Sequence, residues 1–198
     1  MPMLGPSTAL LLIDVQNDFF HEKGAYPRNG VRGADFAPLP ERLRLVADAV
    51  HQAGGLVISS EFTLVPGRDG EPFISDGMRK MRPFLGRGDF APGSFGQAPV
   101  AELGPIDIRV EKVAYSAFYM SRLEWVLRRA GVTTLLVGGV VTNGGVASTV
   151  RDAHARDFSV VVLSDGCAAW NKEQHDAALA DLASVAAVRA CEEAVTPR

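Results

Sequence analysis

The sequence predicts an α/β fold of three layers, in which helices cover both faces of a mainly parallel central sheet. Short apolar runs that end in turn residues alternate with longer stretches whose apolar residues recur three and four positions apart. Glycines follow two of these stretches, at Gly54-Gly55 and at Gly131, where a left-handed residue commonly ends a helix. The length of 198 residues suits one core, so residues 1–198 are assigned to a single domain.

The apolar runs predict five strands, at 8–13, 55–60, 107–111, 134–138 and 159–163. The first run is interrupted by Asp14 and lacks a basic leader, so we interpret it as a buried strand rather than a membrane span or signal peptide. The stretches of helical period predict helices at 39–53, 120–130, 145–156 and 172–188. This alternation is typical of repeated β-α units.

Residues 62–106 break the alternation, because prolines and glycines recur throughout them. Long irregular segments inside compact domains are often functional. We expect this segment either to close over a ligand or to be a plain surface excursion.

The composition excludes several functions. A net charge of −3 with no basic cluster argues against a nucleic-acid partner. The sequence contains no phosphate-binding loop or dinucleotide fingerprint, so we expect no nucleotide cofactor. Cys167 and Cys191 lack metal-ligand spacing and show no secreted disulfide framework. They suit a reducing compartment, so we expect a cytoplasmic protein. We also expect no membrane segment.

Polar residues stand where the predicted strands end. Asp14, Glu61 and Lys112 end the first three, and Thr142-Asn143-Gly144-Gly145 follows the fourth and opens a helix. Ligands of such sheets bind beyond the carboxyl ends of the strands, so these four places are expected to converge on one pocket. A carboxylate and an ammonium there suit proton transfer, or form only a structural ion pair. The glycine pair offers N–H groups to an oxyanion, or merely makes a tight turn.

Three motifs now carry a family resemblance. The segment from Ile13 to Phe19, IDVQNDF, resembles the opening signature of the isochorismatase-like (cysteine hydrolase) superfamily. KVAYSAF, which begins at Lys112, is similar to the lysine motif of that superfamily. The third signature matches from Gly138 to Asp152 and is followed by SDGCAA at Ser164. The motifs occur in order across nearly the whole chain.

The resemblance implies a Rossmann-like sheet, a cis peptide before Thr142, and backbone N–H groups near Thr142 and Gly145 that form an oxyanion hole. It also implies a catalytic triad of Asp14, Lys112 and a cysteine at position 145. This sequence has Gly145 there, so an acyl-enzyme on a thiol cannot form at this position.

No other residue replaces the missing thiol or implies a metal. Cys167 and Cys191 are expected to be buried and inert. The four histidines, at 21, 51, 154 and 175, are scattered, and the metal-binding Asp-x-His of nicotinamidase-like relatives is absent around residues 59–63. We therefore expect no metal and no cofactor.

Three functions stay open for a small-molecule substrate. True isochorismatases also carry this glycine, which favours a hydrolase without a covalent intermediate, in which Asp14 acts with Lys112 on a vinyl ether or an activated carbonyl. However, Thr142-Asn143 resembles the amidohydrolase branch, which favours a cysteine amidohydrolase inactivated by a natural or engineered glycine. Glu61 would also repel the second carboxylate of isochorismate. The third function is that of a binding protein without catalysis.

Two further expectations concern the surroundings of the site. Phe19, Phe20, Tyr115 and Phe118 flank the Asp14–Lys112 pair in sequence, and we expect them to line the pocket or to belong to the core. The resemblance also implies a homo-oligomer, either a dimer or a tetramer.

Overall fold

Six parallel strands form one sheet in the computed structural model, which describes residues 4–196. The strands are β1 Thr8–Ile13, β2 Leu56–Phe62, β3 Ile108–Lys112, β4 Thr134–Val140, β5 Ser159–Ala168 and β6 Ala187–Arg189. They lie side by side in the order β3-β2-β1-β4-β5-β6, and every neighbouring pair is parallel. The α/β fold with a parallel Rossmann-like sheet is thus confirmed.

Helices pack on both faces of this sheet. The α-helices are α1 Asn17–Phe20, α2 Leu39–Gln52, α3 Asp76–Met81, α4 Leu123–Arg129, α5 Ala147–His154, α6 Lys172–Leu182 and α7 Cys191–Val195. Alternate residues of β1 enter two different cores: Leu10 and Leu12 pack with α2, whereas Leu11 and Ile13 pack with α4 and α5. Burial on both faces explains why this strand is an unbroken apolar run.

The carboxyl-terminal elements differ from the predicted ones. We expected one helix over 172–188, but α6 ends at Leu182 and β6 pairs Val188 with Val162. The alanine-rich sequence here suits a helix by propensity, and the three residues of this edge strand are too few to show a strand period. Prediction and structure also differ over 120–130, because Met120 has a left-handed backbone (φ 49°) and α4 begins only at Leu123.

The 62–106 segment is fastened to the end of β1 by buried polar side chains. The Gln16 amide donates to the carbonyl oxygens of Phe62 (2.9 Å) and Gln97 (2.8 Å). The Asp18 carboxylate accepts the N–H of Phe90 at 2.6 Å. These bonds hold an irregular segment, which contains α3, over the carboxyl edge of the sheet.

Within residues 4–196, no helix is both long and apolar enough to cross a bilayer. A cytoplasmic location and a homo-oligomeric state stay predictions.

Candidate active site

A cavity of about 330 Å³ opens at the carboxyl edge of the sheet. Its base carries Asp14 and Lys112, and Gly145 forms part of its wall. Helix α3 of the 62–106 segment contributes Met78 and Met81 to the lining, so this segment does cover the cavity. A concave, largely apolar space with a few convergent charged groups is the usual form of a small-molecule site.

Asp14 follows the last residue of β1 and turns its carboxylate into the cavity. Its backbone is left-handed (φ 57°), a conformation that Asp tolerates better than most residues. Oδ2 lies 2.8 Å from Lys112 Nζ, and Oδ1 accepts the N–H of Phe62 at 3.1 Å. The carboxylate is therefore fixed at both oxygens.

Lys112 is the last residue of β3 and reaches Asp14 past the intervening strand β2. Its ammonium also donates to the carbonyl oxygen of Ala114 (2.9 Å) and lies 5.2 Å from the centroid of the Phe62 ring. Both charged side chains are almost fully buried. Removing one partner of such a pair leaves the other as an uncompensated buried charge.

Burial raises the pKa of Asp14 to about 6, against an ordinary value of 3.8. The positive charge of Lys112, its hydrogen bond and the N–H of Phe62 lower the pKa, while the negative charge of Glu61 raises it further. A carboxyl group with a pKa near the operating pH can both hold and release a proton. Asp14 is therefore suited to proton transfer.

Position 145 lies against the Asp14 carboxylate. A Cβ atom built on Gly145 would stand 3.2 Å from Asp14 Oδ2 and 3.1 Å from Ile13 Cγ2. Gly145 is not among the glycines with positive φ, so its backbone suits an L-residue. The glycine thus leaves space beside Asp14 Oδ2, and a Cβ atom here needs shifts of only a few tenths of an ångström.

The rest of the glycine segment lies outside the cavity lining. Residues Thr142–Val146 form a π-helical turn in which the Gly144 N–H already donates to Val141 O at 2.9 Å. Thr142 is buried, and its hydroxyl lies 2.8 Å from His175 Nδ1. Asn143 is exposed. Their expected contacts with an oxyanion stay predictions.

The cis peptide in this region joins Val140 to Val141. It lies one residue earlier than the resemblance implies.

Glu61 does not line the cavity, although we expected all four strand-end places to converge there. Its buried carboxylate accepts hydrogen bonds from Arg109 Nε and Nη2, the latter at 2.9 Å. Arg109 belongs to the neighbouring strand β3, so a cross-strand ion pair satisfies Glu61. Glu61 acts on Asp14 only through its charge.

The four aromatic residues separate into two groups. Phe19 and Tyr115 line the cavity. Phe118 is buried in the core, with its ring centroid 5.9 Å from that of Phe158, and Phe20 stacks on Phe36. Phe118 and Phe20 therefore belong to the core and do not line the cavity.

Several cavity residues were not singled out from the sequence, among them Tyr26, Arg82 and Trp170. Arg82 Nε donates to Tyr26 Oη at 2.6 Å, and the rings of Tyr26 and Trp170 stack with centroids 5.1 Å apart. Trp170 follows the end of β5 by two residues, but the predicted strand ended at 163, so the strand-end rule did not reach it. Tyr26 and Arg82 lie in irregular segments where no periodicity points to a site.

No thiol lies at the carboxylate. Burial raises the pKa of Cys167 to about 12 and raises that of Cys191 as well, and neither residue lines this cavity. Over the part of the chain that the structure describes, no group of three or more His, Cys, Asp or Glu residues is placed to hold a metal ion.

Comparisons with known proteins agree with this architecture. RutB of Methylobacterium radiotolerans, a ureidoacrylate amidohydrolase, is 34% identical over 192 residues, which cover 90% of this chain and 74% of RutB. A cysteine hydrolase from Pseudomonas syringae shares the fold with a TM-score of 0.82 at 24% identity, covering 98% of this chain and 96% of that one. The nicotinamidase PncA from Bacillus subtilis aligns with a TM-score of 0.73 at 25% identity, over 92% of this chain and 98% of PncA.

The isochorismatase domain model matches residues 8–193, which include all six strands and the cavity. The chain belongs to the isochorismatase family of hydrolases.

Proposed function

We propose that the protein hydrolyses a small molecule without a covalent cysteine intermediate and that Asp14 is the general acid of the reaction. The observation that carries this proposal is the buried Asp14–Lys112 ion pair in the cavity lining, where Gly145 leaves space beside Asp14 Oδ2. A buried ion pair costs desolvation energy, and packed apolar residues often replace it without loss of stability. Its presence at the base of a cavity therefore favours a chemical role.

The substrate that suits this arrangement best is a vinyl ether. Asp14 Oδ2 donates its proton to the carbon of the double bond that does not carry the ether oxygen, and an oxocarbenium ion results. Water adds to this cation and returns one proton to Asp14, and the hemiketal then collapses to a ketone and an alcohol. The overall change is the addition of one water molecule, and no bond to the protein forms.

Lys112 and the Phe62 N–H stabilise the carboxylate that the proton leaves behind. They lie 2.8 Å from Oδ2 and 3.1 Å from Oδ1, and both favour the ionised form of Asp14. They therefore strengthen the acid in the transition state, when negative charge develops on its oxygens. On this proposal Lys112 is a positioning and charge-stabilising residue.

A second candidate is amide hydrolysis that needs a cysteine at position 145. The ureidoacrylate amidohydrolase relative at 34% identity favours it. The backbone at Gly145 also suits an L-residue, and a side chain there would contact the Asp14 carboxylate. On this candidate the present chain binds an amide but does not cleave it, whereas Gly145→Cys cleaves it.

Turnover followed by mass spectrometry separates the candidates. The intact protein and Gly145→Cys are incubated with isochorismate, other enol ethers, lactones and a panel of small amides. We expect the intact protein to hydrolyse an enol ether or a lactone. Amide cleavage by Gly145→Cys alone would favour the second candidate, and binding without any turnover would indicate a binding protein.

The matched control for Asp14 is a second aspartate that has a similar backbone conformation. Asp157 is also left-handed (φ 61°), but it is exposed and precedes β5, at the opposite edge of the sheet from Asp14. Asp14→Asn should lower the rate of turnover at least about a hundredfold, whereas Asp157→Asn should preserve it. Equal losses in the two variants would mean that the substitution acts through the backbone rather than through the proton.

A further inference from the structure

A polar pair behind the cavity ties the wall of the candidate active site to helix α6. Thr142 lies in the chain between two residues of the cavity lining, Val141 and Gly145, but is not itself part of that lining. Thr142 is fully buried, and its hydroxyl group lies 2.8 Å from Nδ1 of His175. The turn Thr142–Val146 therefore has a side-chain hydrogen bond to a different element of the fold.

The burial of the hydroxyl group indicates which atom donates. Within the part of the chain that the structure describes, the Thr142 hydroxyl group has no hydrogen-bond partner besides His175 Nδ1. A buried hydroxyl proton without an acceptor costs free energy, so the hydroxyl group donates and Nδ1 accepts. His175 is then a neutral imidazole that carries its proton on Nε2. The ring also lines a second cavity, of about 300 Å³, where solvent can reach it.

Helix α6 is fixed at both ends, so it can hold the turn in place. The Asn171 side chain caps its first turn by accepting the N–H of Gln174 at 2.9 Å. Leu182, its last residue, is fully buried in the core on the face of the sheet that α5 covers. His175 between them is therefore at a defined position relative to the sheet.

We propose that His175 is a positioning residue, which holds the turn Thr142–Val146 through the Thr142 hydroxyl group. Held in this way, the turn keeps Gly145 against Asp14 and leaves room there for the reacting atom of the substrate. This inference deepens the proposed function and rests on it for the effect on turnover. Both candidate reactions use this space, because a cysteine side chain at position 145 would point towards the same carboxylate.

Nitrogen-15 NMR of protein labelled at histidine tests the hydrogen bond without any substrate. His175→Asn identifies the signals of His175 among those of the four histidines. In mildly alkaline buffer we expect His175 to have its proton on Nε2 alone, because Nδ1 accepts from Thr142. Thr142→Val removes the donor, so both tautomers should become populated. A proton on Nδ1 in the parent protein would overturn the inference.

Hydrogen–deuterium exchange of the backbone amides of residues 141–147 tests whether this bond holds the turn. His175→Leu leaves the buried hydroxyl group without an acceptor, so we expect these amides to exchange about tenfold faster. His175→Asn places an oxygen where Nδ1 lies and should keep the exchange rate within about twofold of the parent. His154→Leu is the matched control, because His154 is exposed at the end of α5 and should leave the rate unchanged.

Turnover separates positioning from a general loss of stability. The substrate is whichever one the intact protein, or its Gly145→Cys variant, hydrolyses. His175→Leu should lower kcat about tenfold and change KM less than about twofold, because the other cavity contacts persist, whereas His175→Asn should keep most of kcat. Thr149→Val is the control for stability. The buried Thr149 hydroxyl group accepts the N–H of Ala117 at 3.0 Å, so its loss should destabilise the fold without lowering kcat.

Thr142→Val keeps the test decisive if His175→Leu does not fold. It retains the shape of threonine without the hydroxyl group and should speed exchange of the turn about threefold. Unchanged exchange in both variants, or equal losses of kcat in His175→Asn and His175→Leu, would overturn the inference. If no substrate is hydrolysed, the proposed function fails, and NMR and hydrogen exchange still decide the role of His175.

Discussion

The dependence of kcat/KM on pH tests which form of Asp14 is active. Burial raises the pKa of Asp14 to about 6, and a general acid works only in its protonated form. The protonated fraction is about one half at pH 6, about one tenth at pH 7 and about one hundredth at pH 8. We therefore expect kcat/KM to fall about fiftyfold between pH 6 and pH 8 on an enol-ether substrate.

The assay follows substrate consumption at low substrate concentration and constant ionic strength from pH 5 to pH 8.5. Under these conditions the profile reports the pKa of the free enzyme. Asp14→Asn is the internal control, because the kcat/KM of any activity that it retains should not fall as the pH rises through 6. A kcat/KM that rises through pH 6 would mean that ionised Asp14 acts as a base on water and would exclude its role as the general acid.

Three further predictions concern stability and access. Lys112→Met should lower the free energy of unfolding by about 3–5 kcal/mol in urea titrations, because ionised Asp14 loses its buried partner. The double variant with Asp14→Asn should recover part of this loss. Additive losses from the two substitutions would contradict the energetic coupling between these residues. Gly145→Cys should change the free energy of unfolding by less than about 2 kcal/mol, because its Cβ contacts are tight but need only small shifts; failure to fold would contradict this. Asp18→Asn should speed limited proteolysis within 62–106, because it weakens the buried bonds that fasten this segment; an unchanged digestion rate would show that other contacts hold it.

The residues at the base of the cavity could be predicted from the sequence, because their position follows from the topology of the sheet. In a parallel sheet all carboxyl ends lie at one edge, so the residues after β1, β3 and β4 meet there whatever the loops do. Asp14, Lys112 and Gly145 were found in this way, and the structure brings them together. The motifs independently indicated the same three positions.

Glu61 shows where strand-end reasoning stops. It also lies near the end of a strand, but Arg109 on the adjacent strand occupies its carboxylate. The register of β2 against β3 decides which side chains lie close enough to pair, and this register cannot be read from the sequence.

The cavity residues Arg82 and Tyr26 could not be predicted for a different reason. Both come from irregular segments, which are held by buried hydrogen bonds between residues far apart in the sequence, such as that from Gln16 to Gln97. No hydrophobic period indicates where such residues point. β6 could not be predicted either. Its alanine-rich sequence suits a helix, and only its pairing with β5 makes it a strand.

In the proposed reaction Asp14 delivers a proton to a carbon atom of the substrate without help from a thiol. The most direct measurement is mass spectrometry of the product formed from an enol-ether carboxylate in deuterated water, by the intact protein and by Asp14→Asn. We expect one deuteron on the carbon next to the new carbonyl group, and a rate at least about a hundredfold lower in the variant. Turnover by Asp14→Asn at the rate of the intact protein, or turnover that requires Gly145→Cys, would contradict it.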